Sequence, residues 1–426
     1  MEQQILSPSS AELGEIVTNL WDREPDIFDK IMNQVVVQIT APNKEDPEFI
    51  EKYGKNDPDR LAMFIILIIP PGTTKIEDKA FAYRNRLTEI RFPPSLTAIS
   101  DSAFWGCTSL TEIRFPPSLT AIGRETFGGC TGLTKIHFPH NSSLVSIDST
   151  FYGCTGLTKI HFPASLTTIE GSAFGYCTSL TEIHFPHNSS LVSIGSQGRA
   201  AFSGCTSLTK VSFPSSLVKI GVNAFRGCTS LTEVHFPDDS ALTTIGLGAF
   251  HGCTRLTELH FPSSLTTIGD SAFCDCAGLT DIHFPDDSAL TTIGSYAFRM
   301  CVGLTEVHFP VSLIRIGRHA FTRCTGLTEL HFPTDSKLKE IGESAFKRQG
   351  LIVNGPPDIL NLNFFKTGVK RRTLNLDGST LTDLGIKESD IGSLFDEQCS
   401  AMTKKNKQCK NKCKGDTNYC GRHQPR

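Results

Sequence analysis

One phrase recurs along the middle of the chain and limits what it can fold into. Leu110-Thr-Glu-Ile-Arg-Phe-Pro116 is followed by Pro117-Ser-Leu-Thr-Ala-Ile-Gly123, then by Thr126-Phe127-Gly-Gly-Cys130, and the phrase restarts at Leu133. Phe81, Phe104, Phe127, Phe151, Phe174, Phe202, Phe225, Phe250, Phe273, Phe298, Phe321 and Phe346 mark twelve units. Their spacings are mostly 23 or 25 residues, with one of 24 and one of 28. The extra residues fall in loops such as His140-Asn-Ser-Ser143, Ser196-Gln-Gly198 and Asp238-Asp-Ser240. Self-similarity at this period means a solenoid, in which no unit buries its apolar faces alone and stacking makes one continuous core.

Each unit can be read physically. In Leu-x-x-Ile-x-Phe-Pro the Ile and Phe are two apart, so both point to one face of a short strand. Pro ends that strand because it has no N–H for a ladder bond. Leu-x-x-Ile-Gly is a second apolar segment closed by a turn. Gly follows this Ile in eight units, whereas Glu77, Ser100, Asp148 and Glu170 stand there in the others, so positive φ is not expected to be mandatory. The Ala-Phe-x-x-Cys segment is too short for a stable helix and reads as one helical or 3₁₀ turn anchored by Phe.

These residues closely resemble the BspA-like leucine-rich repeat, whose consensus runs Leu-x-x-Ile-x-Ile-Pro-x-x-Val-x-x-Ile-Gly-x-x-Ala-Phe-x-x-Cys. The match covers roughly residues 64–351. It implies a leucine-rich-repeat-type, right-handed stack of short parallel strands and tight turns. Members of that family include surface adhesion proteins of microbes and many proteins of protists. An exported adhesin is therefore one expectation, although Met1 to Pro8 shows neither a basic nor an apolar signal region. Without such a signal the expected location is cytoplasmic or nuclear. The longest apolar run, Leu61 to Ile69, reads as a buried first strand, since a membrane-spanning helix needs roughly 20 residues.

Fifteen cysteines in a chain read this way suggest reduced thiols or metal ligands rather than a disulfide framework. Ten share one slot, three residues after the marker Phe: Cys107, Cys130, Cys154, Cys177, Cys205, Cys228, Cys253, Cys276, Cys301 and Cys324. Stacked strands about 4.8 Å apart would put such a column near disulfide range. A small buried apolar thiol that fits a tight turn is the simpler expectation.

The outward strand positions form two columns. The first holds Glu89, Glu112, Lys135, Lys159, Glu182, Lys210, Glu233, Glu258, Asp281, Glu306 and Glu329. The second holds Arg91, Arg114, His137, His161, His184, Ser212, His235, His260, His283, His308 and His331. The candidate binding face is the C-terminal run Glu233, His235, Glu258, His260, Asp281, His283, Glu306, His308, Glu329 and His331. Recent duplication would also copy such a row without use. A repeated row lacks the closed, mixed ligand set of a dedicated metal site. Imidazole titrates near pH ~6.5, so binding by this face should vary with pH. No catalytic constellation emerges, because an enzyme needs one asymmetric, preorganised site and the repeats supply many equivalent ones.

The flanks break the pattern. Residues 1–60, with helical spacing from Ser10 to Leu20, read as a partly helical cap, and residues 61–353 as the solenoid. Residues 354–398, opening on Asn354-Gly-Pro-Pro357, read as a second cap and linker. Net charge is −3, but residues 399–426 hold eight Lys/Arg and one Asp, a local +7, which leaves −10 for the rest. This tail reads Cys399-x₉-Cys409-x₃-Cys413-x₆-Cys420-x₂-His423, and four thiolate or imidazole ligands suit tetrahedral Zn²⁺. It also resembles a short Cys/His module found in proteins of large DNA viruses and protists, Cys-x-Ala-x-Thr-Lys-x-Gly-x-x-Cys-Lys…Tyr-Cys-x-x-His. That resemblance implies a small zinc knuckle with Cys399, Cys409, Cys420 and His423 as ligands and Cys413 spare. A basic tail with redox-active thiols, or a disulfide-bonded one, is the alternative. Six lysines between the ligands allow nucleic-acid contact through residues 399–426, with only Tyr419 as a stacking ring. The expected function is a non-enzymatic, monomeric protein-binding scaffold with a second contact from the tail. A nucleic-acid-associated protein tethered by that tail is the alternative.

Overall fold

The computed structural model describes residues 66–195, 200–346 and 351–356, and the backbone of the strand Lys370–Arg371. The readings made for residues 1–60, for most of 354–398 and for 399–426 lie outside the described residues.

The repeat becomes a parallel-strand solenoid of about twelve coils, with no helix among the described residues. None of them forms a helix long and apolar enough to cross a membrane. Each coil carries two short strands. The first lies on the Leu-x-x-Ile-x-Phe segment, running from Ile66–Ile68 and Glu89–Arg91 to Glu329–His331 and Ile352–Asn354. The second lies on Leu-x-x-Ile, from Lys75–Ile76 to Glu340–Ile341. Within the repeats every pairing is parallel and joins equivalent residues, as in Ile220 to Ile245 to Ile268.

The second strands form a three-stranded sheet from Lys75–Ile76 to Ala121–Ile122, then one of nine from Ser146–Asp148 to Glu340–Ile341. The first strands fall into four sheets. Breaks come after Lys135–His137, Glu233–His235 and Asp281–His283, and a lengthened loop (140–143, 238–240, 286–288) follows each of these strands. The strand Lys370–Arg371 pairs in parallel with Ile352–Asn354 at the C-terminal edge.

The strand Ile and the following Phe point inward, and the marker Phe residues stack into one ladder. Its eleven consecutive ring pairs have centroids 5.1–5.6 Å apart. The strand Phe residues meet this ladder edge-on, as Phe213 does Phe225 at 5.6 Å.

The Ala-Phe-x-x-Cys segment is not a helical turn. Trp105 N–H bonds Ser102 O and Cys107 N–H bonds Phe104 O within the coil, but Phe104 and Gly106 donate to Thr126 and Gly128 of the next coil. Alternate amides thus run along the stack. The second residue after the marker Phe has positive φ in all eleven coils where it is described. It is Gly106, Gly129, Gly153, Gly204, Gly227 or Gly252 in six, and Tyr83, Tyr176, Asp275, Met300 or Arg323 in five. A left-handed residue interrupts the right-handed run a helix needs.

The slot after Ile answers to a different constraint. Of the eight glycines in this slot, Gly123, Gly221, Gly246, Gly269, Gly294, Gly317 and Gly342 are absent from the positive-φ residues, and Gly195 alone lies at φ +72. A Cβ on Gly221 would lie 1.9 Å from Gly195 O, and one on Gly269 2.7 Å from the Gly246 carbonyl carbon. Glycine is there because neighbouring coils meet backbone to backbone.

The ten equivalent cysteines are buried and free. Each Sγ donates to the marker Phe carbonyl of the preceding coil, from Cys107 on Phe81 O at 3.2 Å to Cys324 on Phe298 O at 3.0 Å. The thiol thus fills the turn and satisfies a buried carbonyl. Hydroxyl columns do the same at the edges. Thr134 Oγ1 donates to Thr111 O at 3.0 Å and Ser264 Oγ to Leu242 O at 2.8 Å.

Candidate binding face

Both outward columns lie where the period-two reading puts them. Glu233, His235, Glu258, His260, Asp281, His283, Glu306 and His308 are exposed on either side of a buried Val, Leu or Ile. Glu329 and His331 are half-buried. Parallel register sets like beside like: Glu258 faces Asp281 and His260 faces His283, and Glu306 faces Glu329 as His308 faces His331. The face is therefore interrupted only where the ladder breaks, after Glu233–His235 and after Asp281–His283.

Charge divides the face. In the N-terminal and central coils the carboxylates meet cations. Glu89 pairs with Arg91, Glu112 with Arg114, Glu182 with Lys159 at 2.9 Å and Glu233 with Lys210 at 2.7 Å. Beyond Glu233 no lysine or arginine among the described residues forms an ion pair with Glu258, Asp281, Glu306 or Glu329. Their neighbours are imidazoles, with His260 Nε2 3.6 Å from Glu258 and His331 Nε2 3.4 Å from Glu329. Asp238, Asp239, Asp286, Asp287 and Asp335 lie exposed in the loops that follow these strands and extend the acidic edge.

Register sets the imidazoles of three strand pairs side by side, and two of these pairs stack. His161 and His184 are parallel at 4.4 Å, and His308 and His331 at 4.1 Å, whereas His260 and His283 are tilted at 5.5 Å. Partial burial and then the neighbouring His184 push the His161 imidazole below its ordinary value, with Glu182 opposing. Lys159 and then His184 hold the Glu182 carboxyl below the usual range. At the C-terminal end the His row stops: Asn354 occupies the His position opposite His331, and its amide nitrogen lies 3.3 Å from His331 Nδ1 and 3.4 Å from Glu329 Oε2. Period counting found the columns but not the cluster formed here by Glu306, His308, His331 and Asn354. The sequence places residue 354 at the start of a linker because Asn354-Gly-Pro-Pro357 breaks the repeat, whereas the ladder takes Asn354 in as its last partner for His331.

The chain belongs to the family described as the BspA type leucine rich repeat region, which matches residues 64–149, 146–277 and 238–353. Among solved structures it is similar to a leucine-rich repeat protein from Bacteroides ovatus, at 24% identity over 73% of this chain and 84% of that one, with a TM-score of 0.57. It is also similar to a leucine rich cell surface protein from Faecalibacterium prausnitzii, at 24% identity over 66% of this chain and 88% of that one, with a TM-score of 0.40. The pneumococcal vaccine antigen PcpA is 21% identical over 72% of this chain and 77% of its own, with a TM-score of 0.39. Among curated proteins, none matches the sequence. The first of these likenesses concerns the fold alone.

Proposed function

We propose that the protein is a non-enzymatic scaffold that binds a protein partner through the strand face from Glu233 to His331. The observation that carries this reading is the change of charge along an otherwise uniform stack. The carboxylates of the last coils have no lysine or arginine in ion-pair reach, while the same column further back is neutralised. Such a face is complementary to a cationic surface on the partner. The test is affinity capture with the intact chain and with a Glu258→Gln, Asp281→Asn, Glu306→Gln variant. Loss of a specific partner from the variant is the expected result. Equal retention would sink the reading.

The tail supplies a second contact in this proposal. Cys399, Cys409, Cys420 and His423 offer the ligand set of a structural zinc site, worth roughly 10–16 kcal/mol in small zinc peptides. Metal analysis under reducing conditions tests it, and absence of near-stoichiometric zinc would end it. The tail's local +7 also favours nucleic acid as a second class of partner. Salt-dependent retention on DNA or RNA that disappears on deleting residues 399–426 is the outcome that reading requires.

A further inference from the structure

We propose that Glu306, His308 and His331 bind one divalent transition-metal ion of the zinc class, with one coordination position left open to water or to a group from outside. This site lies in the repeats, apart from the cysteine tail, and does not depend on the face binding a protein.

Three observations carry it. First, donor geometry: Glu306 Oε2 lies 3.8 Å from His308 Nε2 and 3.6 Å from His331 Nε2, and one donor atom from each residue lies within 4.8 Å of the others. Donors of a tetrahedral zinc with bonds of ~2.1 Å are about 3.4 Å apart, so the separations fit, and convergence of the two parallel rings on one ion requires rotations that turn the His308 imidazole out of the stack. The Glu306 and His308 side chains are 53% and 66% exposed and free to make them. Second, His331 Nε2 is shut off from solvent and makes no hydrogen bond, although carboxylate oxygens lie 3.4 and 3.6 Å away. A buried polar nitrogen without a partner is costly, and an ion between it and those oxygens would satisfy all of them. Third, His331 Nδ1 already has a neighbour in Asn354. A metal-bound imidazole carries its proton on the other nitrogen and needs an acceptor there. A half-turn of the Asn354 amide presents its oxygen to that proton, and Glu329, released from the amide nitrogen, remains beside the ion.

The other histidine pairs lack this combination. Glu182 beside His161 and His184 is held by Lys159 at 2.9 Å, a cation that competes with a metal. His260 and His283 lie further apart, among the described residues they belong to no group whose donor atoms all lie within 4.8 Å of one another, and their nitrogens are not among those shut off from solvent without a partner. Two imidazoles and one carboxylate with an open position is a recurrent zinc ligand set.

Zinc chloride titrated calorimetrically into the full chain tests the proposal, with the tail cysteines Cys399, Cys409, Cys413 and Cys420 changed to Ser so that only the repeats report. One equivalent is expected to bind. His308→Ala and Glu306→Gln, both at exposed side chains, should each weaken it at least tenfold, and His260→Ala should leave it unchanged. Absence of binding in the parent overturns the site, as does equal weakening by His260→Ala, which would mean diffuse capture along the row. Unchanged affinity in both His308→Ala and Glu306→Gln also overturns it. None of these readouts involves a protein partner.

Discussion

The two kinds of glycine in the coil should fail in different ways when a methyl group is added. In Gly221→Ala the new Cβ would sit 1.9 Å from Gly195 O and 2.4 Å from the Gly195 carbonyl carbon. An ordinary C···O contact is about 3.3 Å or more, so the two coils must part there by roughly 1.4 Å. Gly221 N–H now donates to Ile194 O at 2.6 Å, and such a separation ends that bond. One or two lost backbone bonds at about 1 kcal/mol each, added to an overpacking cost of about 1–3 kcal/mol, give roughly 2–5 kcal/mol. Gly252→Ala meets nothing closer than 3.9 Å and costs only the left-handed backbone, φ +74, about 1 kcal/mol. Five coils already tolerate a side chain at that slot. Stacked repeats need not unfold in a single step, so a local readout is required. Hydrogen exchange of the amides from 192 to 221 and of those around 252, alongside urea melts, supplies it. Gly221→Ala should speed exchange across that coil boundary, and Gly252→Ala should do so weakly at its own turn. Equal effects, or the reverse order, would refute the claim that backbone proximity places glycine after Ile.

Three further outcomes follow from the packing. Burial pushes the Cys177, Cys228 and Cys324 thiols up to about 12. At pH 8 about one in ten thousand of each is thiolate, so a thiol probe should label them only after urea unfolding, and rapid native labelling would contradict the ladder. Phe225→Ala removes a fully buried ring stacked between Phe202 and Phe250, and should cost about 3–5 kcal/mol, read as a fall in the urea midpoint. Because the His161 pKa is lowered in the fold, the unfolded chain binds more protons once pH drops through about 6.5. Stability should therefore fall below that pH, and the slope should flatten in His161→Gln. An unchanged slope would count against His161 as its source.

The period, the parallel register and the two outward columns were legible because the same phrase recurs and side chains alternate along a strand. Ile220, Ile245 and Ile268 align in space as they do in sequence. The turn around the marker Phe was misread because local propensity does not reveal where amide N–H groups point. Phe104 donates to Thr126, a residue 22 positions away, and this bond between coils replaces the helical one. The glycine after Ile was correctly freed from a φ requirement, but its cause lies in a contact between coils that no single unit contains. Thr134 and Ser264 cap carbonyls of the coil before, a role that spacing along one unit does not assign. Readings for residues 399–426 lie outside the described residues.

A stack of near-identical coils gives every coil the same backbone, so what distinguishes one stretch of face from another is a side-chain substitution at a fixed place. Lys135, Lys159 and Lys210 occupy the first column only in the N-terminal and central coils, and beyond Glu233 it holds carboxylates alone. The second column ends where Asn354 takes the place of histidine. The first change sets the sign of the field a partner would meet, and the second gives His331 a neighbour that no other histidine among the described residues has. Duplication explains why His235, His260 and His283 recur. It does not explain why cations leave one half of the column, or why the two stacked imidazoles with a carboxylate in reach of both occur where the row stops. Function in such an array is carried by its departures from the repeat, and Asn354 is the one that falls beside His331.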